Sequence, residues 1–126
     1  MTRNRYARGR CKPRPPGVMN KTEEAYAECL AVRILVGEVL GFDYETISLK
    51  LAPKTFFHPD FFVQLIDGTM EIHEVKACDK HGNYLAEDDA KVKIKVAAKL
   101  FPMFGFFLCG RLPKSLGGGW RIEGVS

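Results

Sequence analysis

Residues 56–77 read FFHPDFFVQLIDGTMEIHEVKA, and the Asp67-Gly68 pair inside them strongly limits what the chain can fold into. Asp-Gly between two apolar, strand-forming runs is the strongest short-range signal for an antiparallel hairpin, because tight hairpin turns need positive φ angles that glycine adopts freely. Phe61–Ile66 and Met70–Lys76 are therefore expected to pair as strands. Charge interrupts them, however, since Asp60, Glu74 and Lys76 stand where a plain hairpin would carry apolar or neutral residues. Residues two apart on a strand share a face, so Ile72, Glu74 and Lys76 project together. Asp60 lies 14 positions before Glu74, and folding at Asp67-Gly68 sets it opposite the Glu74–Lys76 end. Two carboxylates and one ammonium then meet at one end of a sheet.

The remaining periodicity supplies the elements around this hairpin. From Asn20 to about Val36 the pattern is helical, with Tyr26, Leu30 and the apolar positions near Ile34 recurring at three- and four-residue spacing, Asn20 as cap and Gly37 as stop. Tyr44–Leu51 alternates like a half-buried strand. Residues 77–88, ACDKHGNYLAED, are polar and irregular and read as a loop. A second helix is expected from Asp88 to about Leu100, with Val92, Val96 and Leu100 as its packing stripe and Lys91, Lys95 and Lys99 on another. Phe104–Cys109 has the length of a buried strand, and Trp120–Val125 follows a Gly117-Gly118-Gly119 turn as an edge strand. The expected order is α-β-β-β-α-β with a final strand, an α/β fold around a central antiparallel meander.

Two carboxylates held close disfavour each other's ionised form unless a cation joins them. The candidate ligands Asp60 and Glu74 are hard oxygens with no thiolate or paired imidazole nearby, which favours Mg²⁺ or Mn²⁺ over Zn²⁺. Such a metal can activate water toward a phosphodiester, with Lys76 stabilising the charge that grows on the phosphoryl oxygens. The plainer alternative makes Glu74–Lys76 a surface ion pair and Asp60, after Pro59, the start of a turn.

The segments NKTE at 20–23, HPDF at 58–61, EIHEVKA at 71–77 and DDAKVKIKVAAKLFP at 88–102 resemble phage and prophage proteins of the PD-(D/E)XK nuclease superfamily. That superfamily includes restriction endonucleases and Holliday-junction resolvases, and the likeness covers roughly residues 20–122. The resemblance implies a restriction-endonuclease-like core, with a mixed central sheet flanked by helices, and a Mg²⁺- or Mn²⁺-dependent endonuclease acting on DNA, with branched or junction DNA as a candidate substrate. It makes Asp60 and Glu74 metal ligands, Lys76 the catalytic lysine and Glu23 a supporting acid on the first helix. It also implies a bacterial cytoplasm, infected or lysogenic, as the setting and a homodimer as the assembly that branched-DNA resolvases use. The sequence departs from the pattern in the longer stretch after Lys76 and in Ala77, where glycine is common; substrate preference is what those departures bear on.

Several residues carry two readings. Glu23 is at the third position of an Asn20-capped helix, so a capping box explains it, yet it shares a face with Tyr26, Ala27 and Leu30. Lys93 and Lys95 either keep the second helix soluble or contact phosphate beside the catalytic edge. His73 alternates away from Glu74 and reads as a packed or solvent-facing histidine and not a base, whereas His58, beside Asp60, is a weaker candidate for substrate contact.

Net charge of +4 matters through its distribution. Residues 1–16 hold Arg3, Arg5, Arg8, Arg10, Lys12 and Arg14 and no acid, so the rest carries 13 basic against 15 acidic residues. With Pro13, Pro15 and Pro16, residues 1–19 are expected to form a disordered basic arm ahead of a domain at 20–126, suited to nucleic-acid phosphates or merely solvated. Cys11, Cys29, Cys78 and Cys109 are too scattered for a zinc set or a disulfide framework, so reduced thiols are expected, and with no run of 18 or more apolar residues no membrane partner is expected. A catalytically silent nucleic-acid-binding protein on the same scaffold is the competing function.

Overall fold

The structure is a computed structural model that describes residues 17–85 and 88–126. Helix α1 spans Lys21–Leu35 and is followed by strands β1 (Val39–Tyr44), β2 (Leu49–Ala52), β3 (Thr55–Phe57), β4 (Phe61–Leu65) and β5 (Met70–Ala77). Helix α2 (Asp88–Leu100), β6 (Gly105–Arg111), a short 3₁₀ turn at Lys114–Leu116 and β7 (Trp120–Val125) complete the chain. Five strands form one mixed sheet in the order β1-β4-β5-β6-β7, and β2 and β3 make a separate two-stranded ribbon. Only β5 and β6 are parallel, as their connection through α2 requires. The basic arm, and with it Arg3, Arg5, Arg8, Arg10, Lys12 and Arg14, lies outside the described residues.

Strand alternation divides the core into two layers. Phe61, Val63, Val75 and Cys109 turn to one face and pack with Tyr26 and Leu30 of α1. Ile72 and Phe106 turn to the other and pack with Ile94 and Ala97 of α2 and with Leu49 and Phe57 of the ribbon. Phe61 and Ile72 are wholly enclosed, and burying a side chain of this size stabilises by about 1.5–3 kcal/mol. The hairpin at Asp67-Gly68 forms as its sequence demands: Asp67 caps the Thr69 N–H at 2.9 Å, and Gly68 takes φ 93°. Phe61 pairs with His73 and Gln64 with Met70.

Three expectations are corrected. The first sheet strand is Val39–Tyr44, not Tyr44–Leu51, because the alternation within 44–51 belongs to two elements. Gly41 masks the earlier strand's pattern, and its register shifts there against β4. Between the two elements Glu45 takes the left-handed region at φ 54°, reversing the chain toward β2. On α2, Val92, Val96 and Leu100 face solvent, and Ile94 and Ala97 are the buried pair; a small alanine lets the helix approach the sheet closely, which a count of bulky residues misses. On α1, Ile34 is likewise exposed, while Tyr26 and Leu30 are buried.

Residues 77–85 are more ordered than their polarity suggests. β5 runs on to Ala77, Cys78 bridges to Tyr84, and the Asp79 carboxylate accepts from the N–H groups of His81 at 2.8 Å and Asn83 at 3.0 Å. Those two bonds hold the Asp79 carboxyl below the usual range.

Candidate active site

Asp60 sits between two wholly buried residues, Pro59 and Phe61, immediately before β4. Proline at this point has no N–H to offer a ladder, so it opens the strand without losing a bond. The Asp60 carboxylate reaches across to the neighbouring strand, where Oδ2 accepts from the Val75 N–H at 2.8 Å. Glu74 reciprocates, its Oε1 accepting from the Asp60 N–H at 3.1 Å. Each carboxylate therefore grips the other's segment of main chain, so both are held by backbone and not by rotamer preference alone. Lys76, two residues along the same face, brings Nζ to 3.7 Å from Glu74 Oε2. The three charged residues of the hairpin thus converge at one end of the sheet.

Burial governs the electrostatics of this cluster. Desolvation pushes the Asp60 carboxyl up to about 8, the Glu74 charge adds to the rise, and the Val75 N–H only partly offsets them. Glu74 is raised as well, again by burial, with Lys76 and the Asp60 N–H pulling the other way. Glu74 has the ammonium beside it, so a proton entering the pair belongs on Asp60. A cation placed between the two buried carboxylates would relieve the same repulsion that a proton relieves.

The donor set limits which cations the pair could hold. Among the described residues no three His, Cys, Asp or Glu side chains come together as a metal cage. Two carboxylates with the other positions left to water and substrate phosphates is the arrangement Mg²⁺ commonly takes, and it suits neither Zn²⁺ nor a high-coordination Ca²⁺ cage.

Glu23 lies on the opposite face, among the residues of α1 that pack the sheet. Its Oε1 accepts from the Asn20 N–H at 2.8 Å, the Asn20 side chain returns the bond to the Glu23 N–H, and the capping box is complete. Tyr44, at the end of β1, donates its hydroxyl to the same Oε1 at 2.8 Å. No hydrogen bond joins Glu23 to Asp60 or Glu74 among the described residues, but its charge contributes to raising the Asp60 carboxyl. Glu23 is thus a structural cap and an electrostatic neighbour of the pair. Tyr44 escaped the sequence reading because it was assigned to the wrong strand.

The other candidates separate. Lys93 pairs with Asp89 one turn earlier at 3.6 Å, whereas Lys95 lines a groove on the Glu74 face of the sheet. His58 is exposed, with Nδ1 at 2.7 Å from Ser48 Oγ. His73 is buried between the Tyr26 hydroxyl at Nδ1 and Glu71 at Nε2, which decides between the packed and solvent-facing readings in favour of the first. Cys29, Cys78 and Cys109 are free thiols.

Among the described residues no helix is long and apolar enough to cross a membrane. No family model, curated protein or solved structure matches the chain.

Proposed function

We propose that the protein is a Mg²⁺- or Mn²⁺-dependent endonuclease of the PD-(D/E)XK type that hydrolyses phosphodiester bonds in DNA. The observation that carries this reading is the pair of buried carboxylates, Asp60 and Glu74, interlocked through each other's backbone, with Lys76 on the same face. The element order supports it too: with the β2–β3 ribbon taken as an insertion, α1-β1-β4-β5-α2-β6 follows the restriction-endonuclease-like core.

Asp60 and Glu74 would hold the metal, which supplies a water acidic enough to attack phosphorus and offsets charge on the phosphoryl oxygens. Lys76 offers three N–H donors and a positive charge to the scissile phosphate, a stabilisation that grows as the transition state gathers negative charge. Pro59 and Phe61 keep Asp60 from drifting, and Glu23 keeps the local field negative, favouring cation over anion. The Val75 N–H fixes one Asp60 oxygen, so a metal would be held through the other.

Incubation with supercoiled plasmid, four-way junction and flap DNA, in Mg²⁺, in Mn²⁺ and in EDTA, tests the reading. Cleavage should need the divalent ion and vanish in Asp60→Ala and Lys76→Ala. If wild type binds these DNAs and cuts none, the protein is a binder on this scaffold; if either variant cuts as well as wild type, the mechanism at Asp60 and Lys76 is wrong.

A further inference from the structure

A groove of about 560 Å³ opens on the same sheet face as Glu74 and Lys76, within the ~300–1,000 Å³ typical of ligand-holding clefts. The strand register gives its location relative to the carboxylates. Glu74 pairs with Leu108 on the adjoining parallel strand, and Leu108 forms part of the groove. Lys76 pairs with Gly110, over which the Tyr84 ring lies so closely that a Cβ there would meet it at 2.6 Å. Neighbouring strands run ~4.8 Å apart, so the groove begins one strand away from the proposed metal site.

Three cationic side chains from two elements converge on it: Lys91 and Lys95 from α2 and Arg121 from β7, against the single acid Glu123. Its floor is apolar, with Leu108 and Ile94. Arg121 is not a loose surface arginine. Its guanidinium carbon stands 4.6 Å from the Tyr84 ring centroid, and one terminal nitrogen donates to the Gly82 carbonyl at 2.8 Å. Tyr84 is set in turn by the Cys78 bridge and by Gly110 beneath it. The guanidinium is thus a plane fixed on one side by the Tyr84 ring, with Glu123 Oε1 4.0 Å from its second terminal nitrogen, and its side chain stays 43 % exposed.

We infer that this groove receives one unpaired nucleotide next to the scissile bond, its base stacked on the Arg121–Tyr84 pair and its phosphate met by Lys91 and Lys95. The inference rests on the nuclease reading and narrows its substrate class to single-stranded or branched DNA. Bases stack on arginine planes and aromatic rings only when they are free of a duplex. A paired base is held inside the double helix, and a concave pocket of this size cannot admit the helix itself. The groove therefore rewards a strand whose base is already unpaired.

The test is fluorescence anisotropy on the full chain in EDTA, with a labelled single-stranded 12-mer and the same sequence as duplex, followed by cleavage of both and of a flap in Mg²⁺. The single strand should bind more tightly than the duplex. Arg121→Lys keeps the charge but loses the plane, so it should weaken single-strand binding on the order of tenfold and leave duplex binding nearly unchanged. Lys91→Ala/Lys95→Ala should weaken single-strand binding and flatten its salt dependence. Equal affinity for the two DNAs in wild type, or wild-type single-strand affinity in Arg121→Lys, overturns the inference. Asp60→Asn separates the two readings: it should abolish cleavage while keeping the single-strand preference. If wild type cuts DNA and Arg121→Lys leaves the preference intact, only the groove is refuted. If wild type cuts nothing but shows the Arg121-dependent preference, the nuclease reading alone fails.

Discussion

Replacing Asp60 by Asn should make the metal-free protein more stable above neutral pH, although it removes a buried charged residue. Asparagine keeps an oxygen for the Val75 N–H, so the 2.8 Å bond survives. What it loses is the cost of ionising a desolvated carboxyl beside Glu74. Burial and the Glu74 charge push the folded-state Asp60 carboxyl up to about 8, against 3.8 for the free side chain. Between those values the unfolded chain has lost the proton and the folded chain retains it, so wild-type stability falls as pH rises through the window. Each pH unit is worth at most about 1.4 kcal/mol, giving a ceiling of roughly 4 kcal/mol between pH 5 and pH 8. Relaxation of the site and the remaining burial of Glu74 reduce this, and about 2 kcal/mol is a reasonable expectation. For a domain of this size that amounts to roughly 5–10 °C in Tm. Thermal melts followed by circular dichroism in EDTA at pH 5 and pH 8 provide the measurement. The variant should run close to wild type at pH 5 and melt well above it at pH 8, and Mg²⁺ should then raise the wild type but not the variant. An Asn variant that melts below wild type at pH 8, or by the same margin at both pH values, refutes the account of burial and repulsion at this pair.

Other expectations concern separate parts of the structure. Lys54 follows Pro53 in the β2–β3 turn at φ 58°, a conformation glycine adopts freely, so Lys54→Gly should stabilise by about 0.5–1 kcal/mol in denaturant melts. Gly110→Ala would bring a Cβ to 2.5 Å from Cys78 Sγ and should cost about 1–3 kcal/mol by the same measurement. Tyr44→Phe removes the hydroxyl bonded to Glu23 and should cost about 1 kcal/mol; a much larger loss in cleavage rate than in stability would make Glu23 part of the site. Lys76→Ala should leave the melting temperature within a few degrees of wild type, since a half-buried lysine beside one carboxylate contributes little, while DNA cleavage disappears.

Local chemistry was legible in the sequence wherever the signal was carried by neighbours in the chain. Asp67-Gly68 gives the hairpin because the turn's φ requirement is met by those two residues alone, and the strand period then aligns Asp60 with Glu74. Asn20 and Glu23 likewise predict their own capping box, and Asp88–Leu100 its own helix. Tertiary packing decided what periodicity could not. Which stripe of α2 is buried depends on how closely the helix can approach the sheet, and Ala97 rather than Val96 permits that approach. The first strand was hidden because Gly41 breaks its alternation and only pairing with β4 holds it extended. The raised Asp60 carboxyl and the Arg121–Tyr84 platform belong to the fold in the same way: each needs residues far apart in sequence brought together and removed from water, and no pattern along the chain records how much water remains.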